Sequence, residues 1–234
     1  MMNRIIVALD GMSKEQIFTY LDEIKGEINF VKIGMEAYYK YGRELLIEIK
    51  NRYDVSLFLD LKLHDIPNTV KGAIRSLEGL PIEFLTVHLQ GGKNMLREAK
   101  KQKDISLPRT KLLGVSYLTS LDEQDFLEIW NTEKEDIEDS FIRLFKIAED
   151  CKLEGIVCSA VEATLVKERF NLQVISPGIR LRDDLKANKI GDQRRVLCAK
   201  DALSRGCDYL VIGRSLTTKE RPYKESLSLL KKEL

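Results

Sequence analysis

Eight short runs rich in β-branched residues alternate along the chain with longer segments whose apolar residues recur at helical spacing. A strand followed by a helix, repeated in this way, is typical of a parallel sheet, because parallel neighbours need a crossover connection of about a dozen residues or more. The predicted strands are residues 4–10, 30–34, 55–62, 84–89, 111–119, 155–159, 173–179 and 209–215.

Eight strand–helix units fit a (β/α)₈ barrel better than a doubly wound sheet. The clearest helical segments are residues 13–24, 42–53 and 135–151, and the first opens with Ser13 and Gln16 at the spacing of a capping box. The length of 234 residues suits a single α/β barrel, and no Gly-, Ser- or Pro-rich linker divides the chain. The sequence therefore predicts one α/β domain, residues 1–234, folded as a (β/α)₈ TIM barrel.

Charge and cysteine content narrow the class of protein. The formal net charge is +1, with basic and acidic residues interspersed, which argues against a nucleic-acid surface. No apolar run approaches the roughly 18 residues of a membrane span, and the opening residues lack a signal-peptide pattern. The four cysteines have no C-x-x-C spacing and there are only two histidines, so a structural zinc site is not expected. Reduced thiols in a cytoplasmic protein are expected instead.

Charged residues stand where several apolar strands stop. Asp10 ends the first predicted strand, Lys32 lies in the second, and Asp60 and Lys62 end the third. Because barrel closure places the first three strands side by side, these four charges are expected to converge at one mouth. Asp65 lies beyond the third strand, where it can reach the same region or cross to a neighbouring subunit.

The alternating acidic and ammonium groups have two interpretations. They are either catalytic groups or structural ion pairs at the barrel rim. A metal site for the carboxylates is disfavoured, because the interleaved lysines would compete with a cation. Flanking carboxylates favour the charged form of Lys62, which can then protonate a carbanion beside it. A carboxylate pressed against a substrate carboxylate repels it until CO₂ leaves. The pattern therefore fits a decarboxylation or proton transfer that uses no cofactor.

Two late segments are suited to binding an anion. "SPGIR" contains Gly178 and Arg180 after the seventh strand, and "VIGRS" contains Gly213, Arg214 and Ser215 after the eighth. Glycine lets backbone N–H groups approach phosphate oxygens, and arginine supplies a charged donor fork. Loops after strands seven and eight are the usual phosphate site of this barrel class. The sequence therefore predicts a phosphate site there.

The stretch "FLDLKLHDIPNTV", residues 58–70, resembles the signature of the orotidine 5′-phosphate decarboxylase family, Asp-x-Lys-x-x-Asp-Ile-Pro-x-Thr. Further similar motifs follow the family order: "VALD", "VKIG", "TVHLQGG", "LTS", "SPGIR" and "YLVIGRS". Ser215 stands where the family often has proline, and "VLCAKDALSRG" lacks the usual Thr-Pro pair. The resemblance implies a (β/α)₈ homodimer that converts orotidine 5′-phosphate to uridine 5′-monophosphate (UMP) and CO₂. This is the last step of de novo pyrimidine synthesis, and it needs neither metal nor organic cofactor.

The resemblance also implies roles for individual residues. Lys62 is the implied proton donor to pyrimidine C6, and Asp60 faces the departing carboxylate. Lys32 is implied to orient Asp60 and to bind the ribose, as Asp10 does from the first strand. Asp65 is implied to enter the active site of the partner subunit. The other implied contacts are Thr69, also from the partner, at the ribose, Thr119 or Ser120 at the pyrimidine, Gln193 between base and phosphate, and Arg180, Gly213 and Arg214 at the phosphate.

Two other functions share part of the pattern. A metal-dependent sugar-phosphate decarboxylase or aldolase of related barrel families has the same Asp-x-Lys-x-x-Asp core, but "DIPNTV" and "LTS" favour the first interpretation. A catalytically silent barrel that binds a nucleotide is disfavoured because every proposed reacting residue is present. His88 is expected to pack or hydrogen-bond within the barrel, and His64 to support the loop before Asp65.

Overall fold

The computed structural model describes residues 1–130, 133, 136–187, 196–218 and 220–234, and these form a closed eight-stranded barrel. All neighbouring strands are parallel, and the first strand closes the barrel against the last. The predicted (β/α)₈ TIM barrel is therefore confirmed. The barrel strands are β1 (Ile5–Ala8), β2 (Phe30–Gly34), β3 (Ser56–Leu63), β4 (Phe84–His88), β5 (Lys111–Val115), β6 (Gly155–Val157), β7 (Gln173–Ser176) and β10 (Tyr209–Ile212).

Helices pack around the outside of the barrel and follow most of the strands. The capping box predicted at Ser13 is present, with the Ser13 and Gln16 side chains each accepting the other's backbone N–H. None of the described helices combines the length and the apolar character needed to cross a membrane. The helices are α1 (Lys14–Glu23), α2 (Met35–Arg52), α3 (Pro67–Ser76), α4 (Gly92–Ser106), α5 (Glu123–Trp130), α6 (Ile137–Asp150), α7 (Ala163–Arg169), α8 (Arg182–Lys186), α9 (Ala199–Ser204), α10 (Arg214–Thr217) and α11 (Tyr223–Glu233), with 3₁₀ turns at Met2–Arg4 and Leu89–Gly91.

The seventh predicted strand, residues 173–179, is two strands in the structure. Strand β7 stops before Pro177, which has no N–H to donate to a ladder, and Gly178 then turns the chain with φ +79°. The following β8 (Ile179–Arg180) leaves the barrel and pairs with β9 (Leu197–Cys198) in a separate two-stranded sheet. This turn carries Arg180 away from the barrel wall.

Three further predictions differ from the structure at their edges. The fifth strand ends at Val115 rather than residue 119, and the eighth ends at Ile212 because helix α10 begins two residues later. The helix predicted over residues 42–53 is the second part of α2, which Gly42 divides with a non-helical φ of +66°, and the first part, from Met35, was not predicted.

The barrel interior is a separate apolar cluster from the layer between strands and helices. Phe84 lies at its centre, with ring centroids 5.0 Å from Phe30, 5.7 Å from Phe58 and 5.2 Å from Tyr209. Each fully buried phenylalanine stabilises the fold by about 1.5–3 kcal/mol through burial alone. These rings fill the lower part of the barrel interior, and the cavity described below lies above them.

Candidate active site

A cavity of about 680 Å³ opens at the carboxyl end of the barrel. Its floor includes Ala8, Phe58, Val157 and Val211 of the interior cluster. Most of the residues that the sequence predicts for the site also line this cavity. They are Asp10, Lys32, Asp60, Lys62, Thr119, Arg180, Gly213 and Arg214.

Four of these residues form a continuous chain of alternating charge. The Lys32 ammonium donates to both oxygens of Asp10, at 2.8 and 2.7 Å, and lies 3.6 Å from Asp60 Oδ2. The Lys62 ammonium donates to the same Asp60 oxygen at 2.7 Å. The structure therefore brings together the four charges that end or occupy the first three strands. This chain of charges ends at Lys62, whose ammonium borders the cavity.

The Asp60 carboxylate stays charged despite its burial. Its residue is 7% exposed, and burial alone would raise the pKa of this carboxyl group. The positive charges of Lys32 and Lys62, with hydrogen bonds from Lys62 and Thr86, outweigh burial and hold the pKa of Asp60 below its ordinary value. A fixed negative charge is thereby placed inside the cavity.

Strand β3 departs from regular pairing where its charged residues lie. Leu59 pairs with Leu85 and Leu63 with Val87, so four steps along β3 match two along β4. Within this bulge Lys62 adopts a left-handed backbone conformation with φ +49°, which is uncommon outside glycine. Regular alternation would space Asp60 and Lys62 about 7 Å apart along the strand. The bulge instead accompanies direct contact between their charged groups.

Gly34 makes room for one end of the charge chain. A Cβ atom at this position would lie 2.5 Å from Asp10 Oδ1 and 3.3 Å from the Lys32 ammonium. Its φ of −88° is accessible to any residue, so the requirement for glycine is one of space. The pairing of Asp10 with Lys32 thus depends on the missing side chain.

The segments predicted to bind phosphate lie together at another part of the cavity wall. Arg180 is 5% exposed, and its guanidinium donates to the Ile179 carbonyl at 3.0 Å. Gly213 precedes helix α10, which begins with the exposed Arg214. Backbone amides and two arginines at one wall suit the binding of an anion.

The remaining predicted residues are placed differently. Thr119 lines the cavity, whereas the adjacent Ser120 is exposed and is not among the lining residues. Asp65 and Thr69 are exposed and also lie outside the lining of this chain's cavity. Gln193 lies outside the described residues.

The two histidines stack on each other beside the charge chain. Their ring centroids are 5.3 Å apart, and His88 Nδ1 is buried with no hydrogen-bond partner among the described residues. Burial, followed by the neighbouring charges of His64 and Lys62, lowers the pKa of His88 to about 4. His88 is therefore neutral at physiological pH and is unsuited to serve there as a cationic acid.

Several residues of the site were not predicted from the sequence. Thr86 contacts the bulge of β3; in the sequence it is a polar residue within the apolar run "FLTVHL" and the first residue of the motif "TVHLQGG". Gly34 ends the second strand and the motif "VKIG", but nothing in the sequence indicated its contact with Asp10. Further lining residues from the chain termini are Met12, Gln16, Thr217, Thr218 and Tyr223. Among the described residues, no group of three or more His, Cys, Asp or Glu side chains is placed to hold a metal ion.

Comparison with known proteins identifies a family over nearly the whole chain. The model of the orotidine 5′-phosphate decarboxylase / HUMPS family matches residues 3–228. The orotidine 5′-phosphate decarboxylase of Fusobacterium nucleatum is 40% identical over 224 residues, which is 95% of this chain and 92% of the relative. The protein of the same name from Malacoplasma penetrans is 38% identical over 232 residues, 98% of each chain.

Solved structures extend the similarity to three dimensions. The crystal structure of orotidine 5′-phosphate decarboxylase from Lactobacillus acidophilus has a TM-score of 0.80 and 31% identity, covering 99% of this chain and 98% of that one. An uncharacterized conserved protein from Geobacillus kaustophilus has a TM-score of 0.81 and 33% identity, covering 98% and 99%. The similarity therefore includes every strand of the barrel.

Proposed function

This chain belongs to the orotidine 5′-phosphate decarboxylase / HUMPS family, and from that membership we propose that it converts orotidine 5′-phosphate to UMP and CO₂. The proposed reaction completes de novo pyrimidine synthesis and uses no cofactor. The substrate is supported by the compared relatives, which are 37–40% identical and carry the decarboxylase name. A cytoplasmic location belongs to the same proposal and agrees with four buried, free cysteine thiols.

The observation that carries the proposal is the charge chain ending at Lys62 beside the cavity. Three contacts of 2.7–3.6 Å link Asp10, Lys32, Asp60 and Lys62 in order of alternating charge. Such an arrangement holds an ammonium and a carboxylate at fixed positions before the substrate arrives. Fixed charges in a partly desolvated site need little reorganisation during the reaction, which is how an active site stabilises charge in the transition state.

The proposed reaction proceeds by direct loss of CO₂. The bond between pyrimidine C6 and the carboxylate carbon breaks, its electron pair stays on C6, and CO₂ departs. The Lys62 ammonium then gives a proton to the C6 carbanion, and the resulting amine regains a proton from water. Lys62 is suited to this role because its ammonium borders the cavity while Asp60 holds it at 2.7 Å.

Asp60 is assigned a role in the step before protonation. The residue is 7% exposed, and its carboxylate is kept charged by two lysines and Thr86. A substrate carboxylate bound next to it is repelled, and this repulsion disappears as the bond to C6 breaks. Lys32 positions Asp60 from the other side and is proposed to bind the ribose together with Asp10. Thr119 is proposed to contact the pyrimidine, since it lines the cavity and Ser120 does not.

The phosphate is proposed to bind at the wall formed by Arg180, Gly213 and Arg214, with Gln193 between base and phosphate. Binding energy from this distant group can be used to hold the pyrimidine against Lys62.

Replacing Arg214 by alanine is expected to lower kcat/KM for orotidine 5′-phosphate by about 100-fold. This factor corresponds to the binding free energy of one strong charge-assisted hydrogen bond. Orotidine, which lacks the phosphate, is expected to react equally with the variant and the parent enzyme.

Steady-state kinetics with the two substrates test this assignment. The control is Arg169→Ala, which removes a half-exposed arginine of α7 whose partner Glu138 lies 3.9 Å away on the outer face. This variant is expected to match the parent on both substrates. Equal losses on orotidine and orotidine 5′-phosphate in Arg214→Ala would contradict phosphate binding by Arg214.

Gly34→Ala tests the proposed role of Asp10 at the ribose. The added methyl group would lie 2.5 Å from Asp10 Oδ1, and the half-exposed Asp10 side chain can rotate away with little effect on folding. We expect the KM for orotidine 5′-phosphate to rise about tenfold, equivalent to one lost hydrogen bond to a charged group. Steady-state kinetics and thermal unfolding check this together. An unchanged KM in a variant of normal stability would argue against a ribose contact.

A homodimer with shared sites is proposed from the position of the segment after β3. Asp65 and Thr69 are exposed and stand apart from the cavity of their own chain. Between them Ile66 is 68% exposed, so this segment also carries an apolar side chain that a second copy could cover. A second copy that covers this segment would receive Asp65 near its Lys62 and Thr69 near the ribose.

The decisive experiment is an ultraviolet absorbance assay with orotidine 5′-phosphate, with and without a metal chelator. We expect conversion to UMP at the same rate in both conditions. Failure to form UMP would refute the proposed function. Loss of turnover in chelator, restored by Mg²⁺, would refute the cofactor-free reaction and favour a metal-dependent sugar-phosphate enzyme.

A further inference from the structure

Thr86 is a polar residue in the middle of the mostly apolar strand β4. It lies in β4 between Leu85 and Val87, has no exposed surface, and pairs in register with Leu113 of β5. Alternation along the strand places it on the same side as Phe84, which is central to the interior cluster. A buried hydroxyl costs stability unless it is hydrogen-bonded, so its presence calls for an explanation.

The Thr86 hydroxyl makes two hydrogen bonds, and both go to the bulge of β3. It accepts from the Lys62 backbone N–H at 2.8 Å, and it donates to Asp60 Oδ1 at 2.9 Å. One hydroxyl therefore joins the backbone of the proposed proton donor to the carboxylate that holds this donor's ammonium. The other Asp60 oxygen is the one that accepts from the Lys62 ammonium.

The bulge explains why a side chain is needed at this place. Between Leu59 and Leu63 the register of β3 shifts against β4. The Lys62 N–H is thus satisfied by the Thr86 side chain instead of a β4 carbonyl. Its left-handed φ of +49° is a conformation that persists only when surrounding contacts hold it. Thr86 supplies such a contact from a strand that is itself paired on its far side.

We propose that Thr86 is a positioning residue for the decarboxylation, which fixes Lys62 and Asp60 relative to each other. This inference rests on the proposed function. Its hydroxyl sets where the Lys62 backbone leaves the strand and which way the Asp60 carboxylate turns. Without it, the ammonium is no longer held at the distance and direction that proton transfer to C6 requires.

The proposal predicts a specific kinetic effect. Because Thr86 is fully buried, it cannot touch the substrate, so its loss should leave ligand binding largely intact. Catalytic groups displaced by about 1 Å can lose about 100-fold in rate. Thr86→Val, which keeps the branched shape but not the hydroxyl, is therefore expected to lower kcat by about 100-fold. UMP affinity is expected to stay within about threefold of the parent value.

Thr110→Val is the matched control. Thr110 is a threonine 3% exposed at the opposite end of the barrel, and its hydroxyl donates to the Ile82 carbonyl at 2.8 Å. The same substitution there removes a buried hydroxyl hydrogen bond of similar length. Both variants are expected to unfold at a lower temperature, but only Thr86→Val is expected to lose kcat.

The experiment measures kcat, UMP affinity and thermal unfolding for the parent, both valine variants and Thr86→Ser. The serine variant keeps a hydroxyl and is expected to retain kcat within about threefold. Thr86→Val with parental kcat would overturn the proposal. So would a serine variant as slow as the valine variant, an equal loss in Thr110→Val, or a loss of UMP affinity in step with kcat.

Two further provisions keep the test decisive. If Thr86→Val does not fold, Thr86→Ala takes its place, because it removes the hydroxyl without placing a methyl group against the Asp60 carboxylate, and the same criteria apply. Failure of the underlying function is recognised separately, since a parent enzyme that releases no CO₂ from orotidine 5′-phosphate refutes the decarboxylation before any variant is compared.

Discussion

Lys62→Ala is expected to lower kcat on orotidine 5′-phosphate by about 10⁴-fold, the upper end of what a positioned proton donor contributes. The variant loses the group proposed to protonate C6. It also removes one of the two ammonium partners of a buried carboxylate, since Asp60 contacts Lys62 at 2.7 Å and Lys32 at 3.6 Å. Single-turnover and steady-state rates of UMP formation measure the effect. Near-parental turnover would refute the mechanism.

Lys167→Ala is the matched control for this variant. The Lys167 side chain is 34% exposed and pairs with Asp208 at 2.6 Å, compared with 27% and 2.7 Å for Lys62 and Asp60. Asp208 precedes β10, so the control pair lies at the amino end of the barrel, opposite the cavity. We expect Lys167→Ala to keep parental turnover. UMP affinity is also measured for Lys62→Ala. A retained affinity indicates loss of the proton donor alone, because the residues proposed to bind the phosphate are unchanged, whereas a lost affinity indicates disruption of the whole site.

Asp65→Ala is expected to lower kcat by about 10³-fold, the loss typical when one fixed polar group near the reacting atoms is removed. If Asp65 acts in the partner's site, mixing Asp65→Ala with Lys62→Ala subunits restores activity. A mixed dimer then has one site with both residues intact. With equal amounts and free exchange, half of the dimers are mixed, so about a quarter of parental activity should return.

A double variant sharpens the test of shared sites. When Lys62→Ala/Asp65→Ala subunits exchange with parental subunits in equal amount, mixed dimers have no complete site. During exchange, the activity of the mixture should then fall to about half of its value before exchange if sites are shared across a two-fold interface. It should not change if each site lies within one subunit. Absence of rescue in the first mixture, with subunit exchange demonstrated by mass or fluorescence, would independently contradict the shared site.

Some features of this site could be predicted because they depend only on order along the chain. Charged residues at the ends of consecutive parallel strands must meet once the strands lie side by side, as Asp10, Lys32 and Asp60 do. Glycine and arginine after the last two barrel strands likewise share one wall of the cavity. Both predictions follow from parallel pairing, and neither needs the position of any side chain.

Other features could not be predicted because they depend on departures from regular geometry. The alternation of side chains along a strand does not reveal that β3 bulges, with two more residues than β4 over the same stretch. It also does not reveal that Lys62 adopts a left-handed backbone conformation. A continuous seventh strand was predicted, but Pro177 ends it and Arg180 belongs to a separate small sheet. Propensity gives local preferences, whereas the partner of each backbone group is set by the neighbouring strands.

The sequence alone predicts the barrel, the order of its strands and the kinds of charge at its mouth. Hydrophobic periodicity is a property of short segments, and consecutive β/α units place successive strands side by side. How these charges are held depends on contacts that form in the folded barrel. The space that Gly34 leaves for Asp10, and the hydroxyl that Thr86 provides to Lys62 and Asp60, are contacts between residues far apart in sequence. Such contacts exist only after the barrel closes and brings one strand's irregularity against the side chain that satisfies it.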